Sequence, residues 1–131
     1  MHWLIADIGG TNTRCAVARP GGVLQHIELF RNRDYPGLDR LLGAYLGMLP
    51  PAERPDEAVL AIAGPIRGDE IRMSNINWNF SISDLARTLS LSRVTPLNDF
   101  AAQAHALPVL GPADLQQIGG GTDVAGAPKV V

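Results

Sequence analysis

This chain has a single cysteine, Cys15, which excludes an internal disulfide, a cysteine-based zinc site and a dithiol redox motif. Cys15 lies in an apolar, strand-like run, where a thiol serves as a small buried hydrophobe, and such usage fits a reducing compartment. Neither sign of charge dominates. Eleven basic residues, all arginine except Lys129, stand against thirteen acidic ones for a net charge of −2. The basic residues are scattered, so no stripe advertises nucleic acid and no nucleic-acid partner is expected. Met1-His2-Trp3 leads directly into a strand without a basic leader, and no apolar run has the length of a membrane span. No signal peptide and no membrane partner are therefore expected, and the expected location is cytoplasmic. Two familiar phosphate loops are missing as well: there is no GxxxxGK[ST], and no GxGxxG follows the first strand. Internal repeats and low-complexity segments are absent. What is present is 131 residues, 46% hydrophobic and 18% charged, enough for one globular domain over residues 1–131 around one core.

The most informative segment runs from Leu4 to Ala18. It sets Asp7, Gly9, Gly10, Thr11 and Asn12 between two apolar strand-like stretches. Glycines without Cβ let such a turn take positive φ and let backbone N–H groups come close to an anion, while Thr11 and Asn12 add side-chain donors. Asp7, at the end of the first strand, is placed to hold Mg²⁺ through water. The same spacing also suits an ordinary tight hairpin, with the glycines serving the turn and Asp7 as punctuation.

Along the chain the pattern is α/β. Leu4–Ile8, Arg14–Ala18 and Val23–Phe30 read as three adjacent antiparallel strands, with Pro20-Gly21-Gly22 as the second turn. Leu38, Leu41, Leu42, Tyr45, Leu46 and Leu49 recur at helical spacing until Pro50-Pro51 ends the run, which predicts an amphipathic helix packed on the sheet. Ala58–Ala63 is a continuous apolar run ending at Gly64-Pro65, read as a buried central strand. Glu70–Ser74 suits a short edge strand, Ser83 the cap of a helix through Leu89, and Val94–Leu97 a strand carrying Pro96. Phe100–Leu107 reads as an alanine-rich helix, Pro112 as the start of a further short helix to Ile118, and Gly119–Ala127 as a glycine-rich loop. Lys129-Val130-Val131 looks like the opening of another strand, so the chain is expected to be part of a longer protein.

A second polar constellation is Leu97-Asn98-Asp99-Phe100, an amide and a carboxylate between a strand and a helix. The carboxyl end of a strand is where α/β proteins place their sites. Asp99 also suits the N-cap of the following helix and Asn98 a turn. The two uses are compatible, because a carboxylate held ionised at a helix start can still accept a substrate proton. Asp99 could then orient and deprotonate a hydroxyl, and Asn98, with a donor and an acceptor, could hold neighbouring hydroxyls of a polyol.

Leu4 to Arg14, then Ala61-Ile62-Ala63-Gly64-Pro65-Ile66, then Met73-Ser74-Asn75 with Trp78 and Phe80-Ser81, and finally Leu97-Asn98-Asp99-Phe100-Ala101-Ala102 resemble, in order and spacing, the bacterial glucokinases. These enzymes sit within the sugar kinase, hexokinase and actin-like ATPase superfamily. The resemblance covers the whole chain, although such enzymes are longer. It implies a ribonuclease H-like/actin-like ATPase domain, a mixed sheet with an N-terminal antiparallel three-stranded meander and flanking helices. That domain would be the small N-terminal one of a two-domain sugar kinase. It implies phosphoryl transfer from ATP, with Mg²⁺, to the 6-hydroxyl of glucose or a related hexose, at the entry to glycolysis, in an enzyme that is often a homodimer. Under it Asp7, Gly9, Gly10, Thr11 and Asn12 match the first phosphate motif, with Asp7 near the metal. Asp99 matches the catalytic base and Asn98 a sugar-binding amide. Asn75 and Trp78 lie in a segment near the sugar cleft, Trp78 being suited to fill the core. His26 and His105 match no role and are expected at the surface. The alternative is a non-enzymatic sugar-sensing module of the same superfamily, which usually places a helix-turn-helix before the sugar domain, whereas here Met1 is followed at once by a strand. An actin-like ATPase would leave Asn98-Asp99 and Ser74-Asn75 unexplained.

Overall fold

Three strands open the fold in the computed structural model, which describes residues 1–129 and 131. β1 (Trp3–Ile8), β2 (Asn12–Ala18) and β3 (Leu24–Arg31) form the expected antiparallel meander. The turn between β2 and β3 puts Gly21 and Gly22 at φ 87° and 80°, the left-handed region that a residue without Cβ enters freely. α1 (Leu38–Met48) follows, then β4 (Glu57–Ile62), β5 (Glu70–Arg72), β6 (Asn79–Ser81), α2 (Ile82–Thr88), β7 (Arg93–Asn98) and α3 (Asp99–Ala106). The main sheet has the order β3-β2-β1-β4-β7, with β4 parallel to β1 and β7 parallel to β4. β5 and β6 pair antiparallel in a separate two-stranded sheet.

Side-chain alternation assigns one face of the main sheet to the core. Leu4, Ala6 and Ile8 of β1 stand in register with Val17, Cys15 and Thr13 of β2 and with Ala58, Leu60 and Ile62 of β4, and all nine are buried. Leu38, Leu41, Leu42, Tyr45 and Leu46 of α1 join the same cluster, as the helical spacing predicts. Burial pushes the Cys15 thiol up to about 12, so it stays a neutral apolar filler. Trp78 is buried in this core too, as anticipated. Phe30 meets Tyr35 and Tyr45 edge to face, with ring centroids 5.9 and 6.1 Å apart. These contacts tie the end of β3, and the 3-10 turn Asn32–Asp34 after it, to α1.

Several expectations are corrected. The β2–β3 register shifts between Cys15 and Val17, and His26 sits opposite that shift at φ 52°. The bulge breaks the alternation expected of Val23–Phe30, leaving Leu24, Ile27 and Leu29 exposed. β4 is central, yet only alternate residues are sealed, because Val59 and Ala61 face the other side of the sheet and stay half-buried. β6 carries no periodic signal in the sequence, since three residues are too few to show one. Pro96 is accommodated because, among the described residues, β7 pairs with β4 alone, and an edge strand tolerates a residue without N–H. His26 and His105 are exposed as expected, His26 with its ring 2.6 Å from Glu53.

α2 is capped by Ser81 and not by Ser83. The Ser81 hydroxyl accepts the Asp84 N–H at 3.1 Å and donates to the Asp69 carboxylate, while Ser83 donates through its N–H and hydroxyl to the other Asp69 oxygen. These bonds, that from Ser81 foremost, hold the Asp69 carboxyl below the ordinary carboxylate range. Ser81→Ala is expected to lower the unfolding free energy by about 1 kcal/mol in urea titration. Ser83→Ala should lower it less, since the cap survives; an equal loss would reassign the cap.

The described chain divides into two compact units, Met1–Asp99 and Phe100–Val131. In the second, the helix that begins at Asp99 ends at Ala106, and two 3-10 turns follow at Leu107–Val109 and Pro112–Asp114. The helix expected from Pro112 to Ile118 stops after one turn, and the glycine-rich loop has no regular structure. Gln117 braces that loop by donating to the carbonyls of Gly119 at 3.2 Å and Gly121 at 2.7 Å. The strand expected at Lys129-Val130-Val131 depends on Val130, outside the described residues. Among the described residues no helix is long and apolar enough to cross a membrane.

Candidate active site

Strand register assembles the site. Ile8, Ile62 and Asn98 are the last residues of three parallel neighbours, paired Ile8 with Ile62 and Ile62 with Asn98. The turn after β1, the loop after β4 and the Asn98-Asp99 step after β7 therefore emerge side by side at one edge of the sheet. β1 and β7 are two strand spacings apart, on the order of 10 Å. That separation suits a phosphate-facing turn at one end and a hydroxyl-facing carboxylate at the other. The Ala63 N–H donates to the Ile8 carbonyl at 3.0 Å, and the Asn98 side-chain amide donates to the Gly64 carbonyl at 2.9 Å, so all three exits are laced together. Asp99 is half-buried as the first residue of α3, one position later than an N-cap.

The turn from Gly9 to Asn12 is built differently from the expectation. Neither Gly9 nor Gly10 has a positive φ; both are glycine for want of space. A Cβ on Gly10 would lie 2.7 Å from the Asn75 Cβ, and one on Gly9 would lie 3.1 Å from the Asn12 carbonyl oxygen. The Gly9 N–H donates to that Asn12 oxygen at 2.9 Å, so Gly9 shapes the turn from within. Gly10, Thr11 and Asn12 line a cavity of about 500 Å³ together with Asn75, Ile76, Arg31, Asn32 and Arg33. The fold thus brings Asn75 against the glycine turn, two segments that the sequence keeps more than sixty residues apart. Asp7, Asn98 and Asp99 lie outside that lining. Asp7 is exposed on the sheet face opposite the core, level with Arg14 of β2.

Asn32 and the arginines beside it were not singled out from sequence. An Arg-Asn-Arg-Asp run after a strand has the look of a solvated turn. Arg31 and Arg33 are indeed exposed, Arg33 lying 3.9 Å from Asp34, but Asn32 is buried.

The glucokinase family model matches residues 4–131. The chain belongs to the glucokinase family. It is 44% identical over 131 residues to a glucokinase of Ralstonia nicotianae, covering 98% of this chain and 38% of that one. A glucokinase of Chromobacterium violaceum is 42% identical over 125 residues, 95% of this chain and 36% of its own. Among solved structures, a glucokinase from an Antarctic psychrotroph superposes with a TM-score of 0.79 at 34% identity, over 86% of this chain and 36% of that one. The chain therefore spans little more than a third of the length of these glucokinases. The mixed sheet, meander first and parallel strands after, is the fold shared with them.

Proposed function

We propose that this chain is the amino-terminal domain of a glucokinase that transfers the γ-phosphoryl group of ATP to the 6-hydroxyl of glucose or a related hexose. The observation that carries this reading is the register of Ile8, Ile62 and Asn98, which brings the glycine turn and the Asn98-Asp99 pair to one sheet edge. Gly10, Thr11 and Asn12 would face the phosphates, with Arg31 and Arg33 adding positive charge along the same cavity. Asn98 and Asn75 would hold sugar hydroxyls. Asp99 would accept the proton of the attacking hydroxyl, a step that asks chiefly for placement.

Mg²⁺ fits this arrangement. Among the described residues no three metal-ligating side chains cluster, and Asp7 is a lone exposed carboxylate beside the turn. Such a donor suits an ion that keeps its waters and takes its other ligands from phosphate oxygens. When bound, the ion would neutralise phosphate charge; Asp7 would hold its water shell in place.

Expressed as its 131 residues, the chain is expected to show negligible glucose-dependent ATP consumption, because the relatives carry nearly two thirds of their length elsewhere. Extended to the length of the relatives, it should phosphorylate glucose in a coupled assay. Full turnover by the 131-residue chain, or none by the extended protein, would sink the proposal.

A further inference from the structure

Thr13 and Asn32 are the buried polar residues among those described, and they are bonded to each other. The Thr13 hydroxyl donates to Asn32 Oδ1 at 2.8 Å. Asn32 Nδ2 donates to the Gly9 carbonyl at 2.7 Å, and the Asn32 backbone N–H donates to the Thr11 carbonyl at 2.9 Å. One residue thus grips the turn on both sides of Gly10. Part of this is stability, since apolar side chains here would leave the Gly9 carbonyl without its donor. What the polar pair adds is direction. In a trans peptide the carbonyl and the following N–H point opposite ways, so drawing the Gly9 carbonyl onto the buried Asn32 amide turns the Gly10 N–H away from the core.

We infer that Asn32, braced by Thr13, is the positioning residue that holds the Gly9–Asn12 turn in its anion-receiving shape. The role rests on the phosphate-facing reading proposed above. Asn32 touches no phosphate in it; the residue acts through the peptide planes of the turn and so sets the site before the nucleotide arrives. Rigid donors lose little freedom on binding, whereas a turn free to flip its peptides would have to order itself each time.

The test uses the isotopically labelled protein extended to the length of its relatives and reads two amide properties. Asn32→Leu keeps the size but can neither accept from Thr13 nor donate to the Gly9 carbonyl. Asn32→Ala is measured beside it, and Thr13→Ser, which keeps the hydroxyl, serves as the conservative control. Both Asn32 variants are expected to speed hydrogen exchange at the Gly9 N–H by about tenfold or more, while Leu60 in β4 and the Thr13→Ser chain stay at the wild-type rate. The shift response of the Gly10 amide to millimolar MgATP should weaken by a similar factor. Unchanged Gly9 exchange, or Gly9 and Leu60 accelerating together, overturns the positioning role, since the second result is what a merely structural residue would give. A wild-type turn that ignores MgATP overturns the phosphate reading and this role with it. An undiminished response in Asn32→Leu overturns this role alone.

Discussion

Asp99→Asn, placed in the extended protein, is expected under the proposed kinase reading to leave glucose affinity near the wild-type value and to lower kcat by about a thousandfold. The size follows from what a positioned general base contributes, roughly 10² to 10⁴ in rate. The direction follows from geometry. Asp99 is the residue after β7, half-buried at the first position of α3, next to Asn98, whose amide is already fixed on the Gly64 carbonyl. The helix loses only the favourable interaction of a carboxylate with its N-terminal dipole, and asparagine, having the same shape, gives the sugar the same surface. It cannot take a proton. If Asp99 served only the helix, the change would cost a few tenths of a kcal/mol to about 1 kcal/mol of stability and leave kcat intact. Measuring kcat and KM for glucose together with the thermal midpoint separates the two roles, because loss of a helix-start charge lowers the midpoint slightly in either case and only loss of the base also lowers kcat at constant KM.

Gly10→Ala is the second large effect. The added methyl would lie 2.7 Å from the Asn75 Cβ, an atom fixed to the backbone, so the turn and the Asn75 segment must move apart. Overpacking of this kind costs about 1–3 kcal/mol, and here the displaced parts are two walls of the same cavity. The expected result is a drop in stability accompanied by at least a tenfold rise in KM for ATP in the extended kinase. Gly21→Ala supplies the comparison. That residue has φ 87° with nothing near its missing Cβ, so alanine there is strained but remote from the site. It should lose stability and leave KM unchanged. Matching KM values for the two variants would remove Gly10 from the site.

The difference between these glycines marks where sequence reasoning reached its limit. Both occur in Gly-Gly pairs between strands, a setting in which the expectation stated for Gly9 and Gly10 was a positive φ. Gly21 and Gly22 meet it; Gly9 and Gly10 do not, and owe their identity to neighbours across the fold. The bulge at His26 and the cap at Ser81 were hidden for related reasons. A register shift leaves no mark on composition, and Ser81 and Ser83 are equally good caps until the strand before them is located.

The sequence by itself determined the α/β class, the meander, α1, the burial of Cys15, and the family-bearing segments around Asp7, Asn75 and Asp99. All of these rest on short-range signals: a period of two or of 3.6, a turn residue, a run of fixed spacing. Only the tertiary structure decided that Asn75 abuts Gly10, that Asn98 reaches Gly64, and that Asn32 is a buried clamp and not a solvated turn. The reason is that each contact depends on the pairing and register of strands distant in the chain. Placing β4 beside β1 and β7 beside β4 moves their end loops to one edge, and no local pattern carries that order.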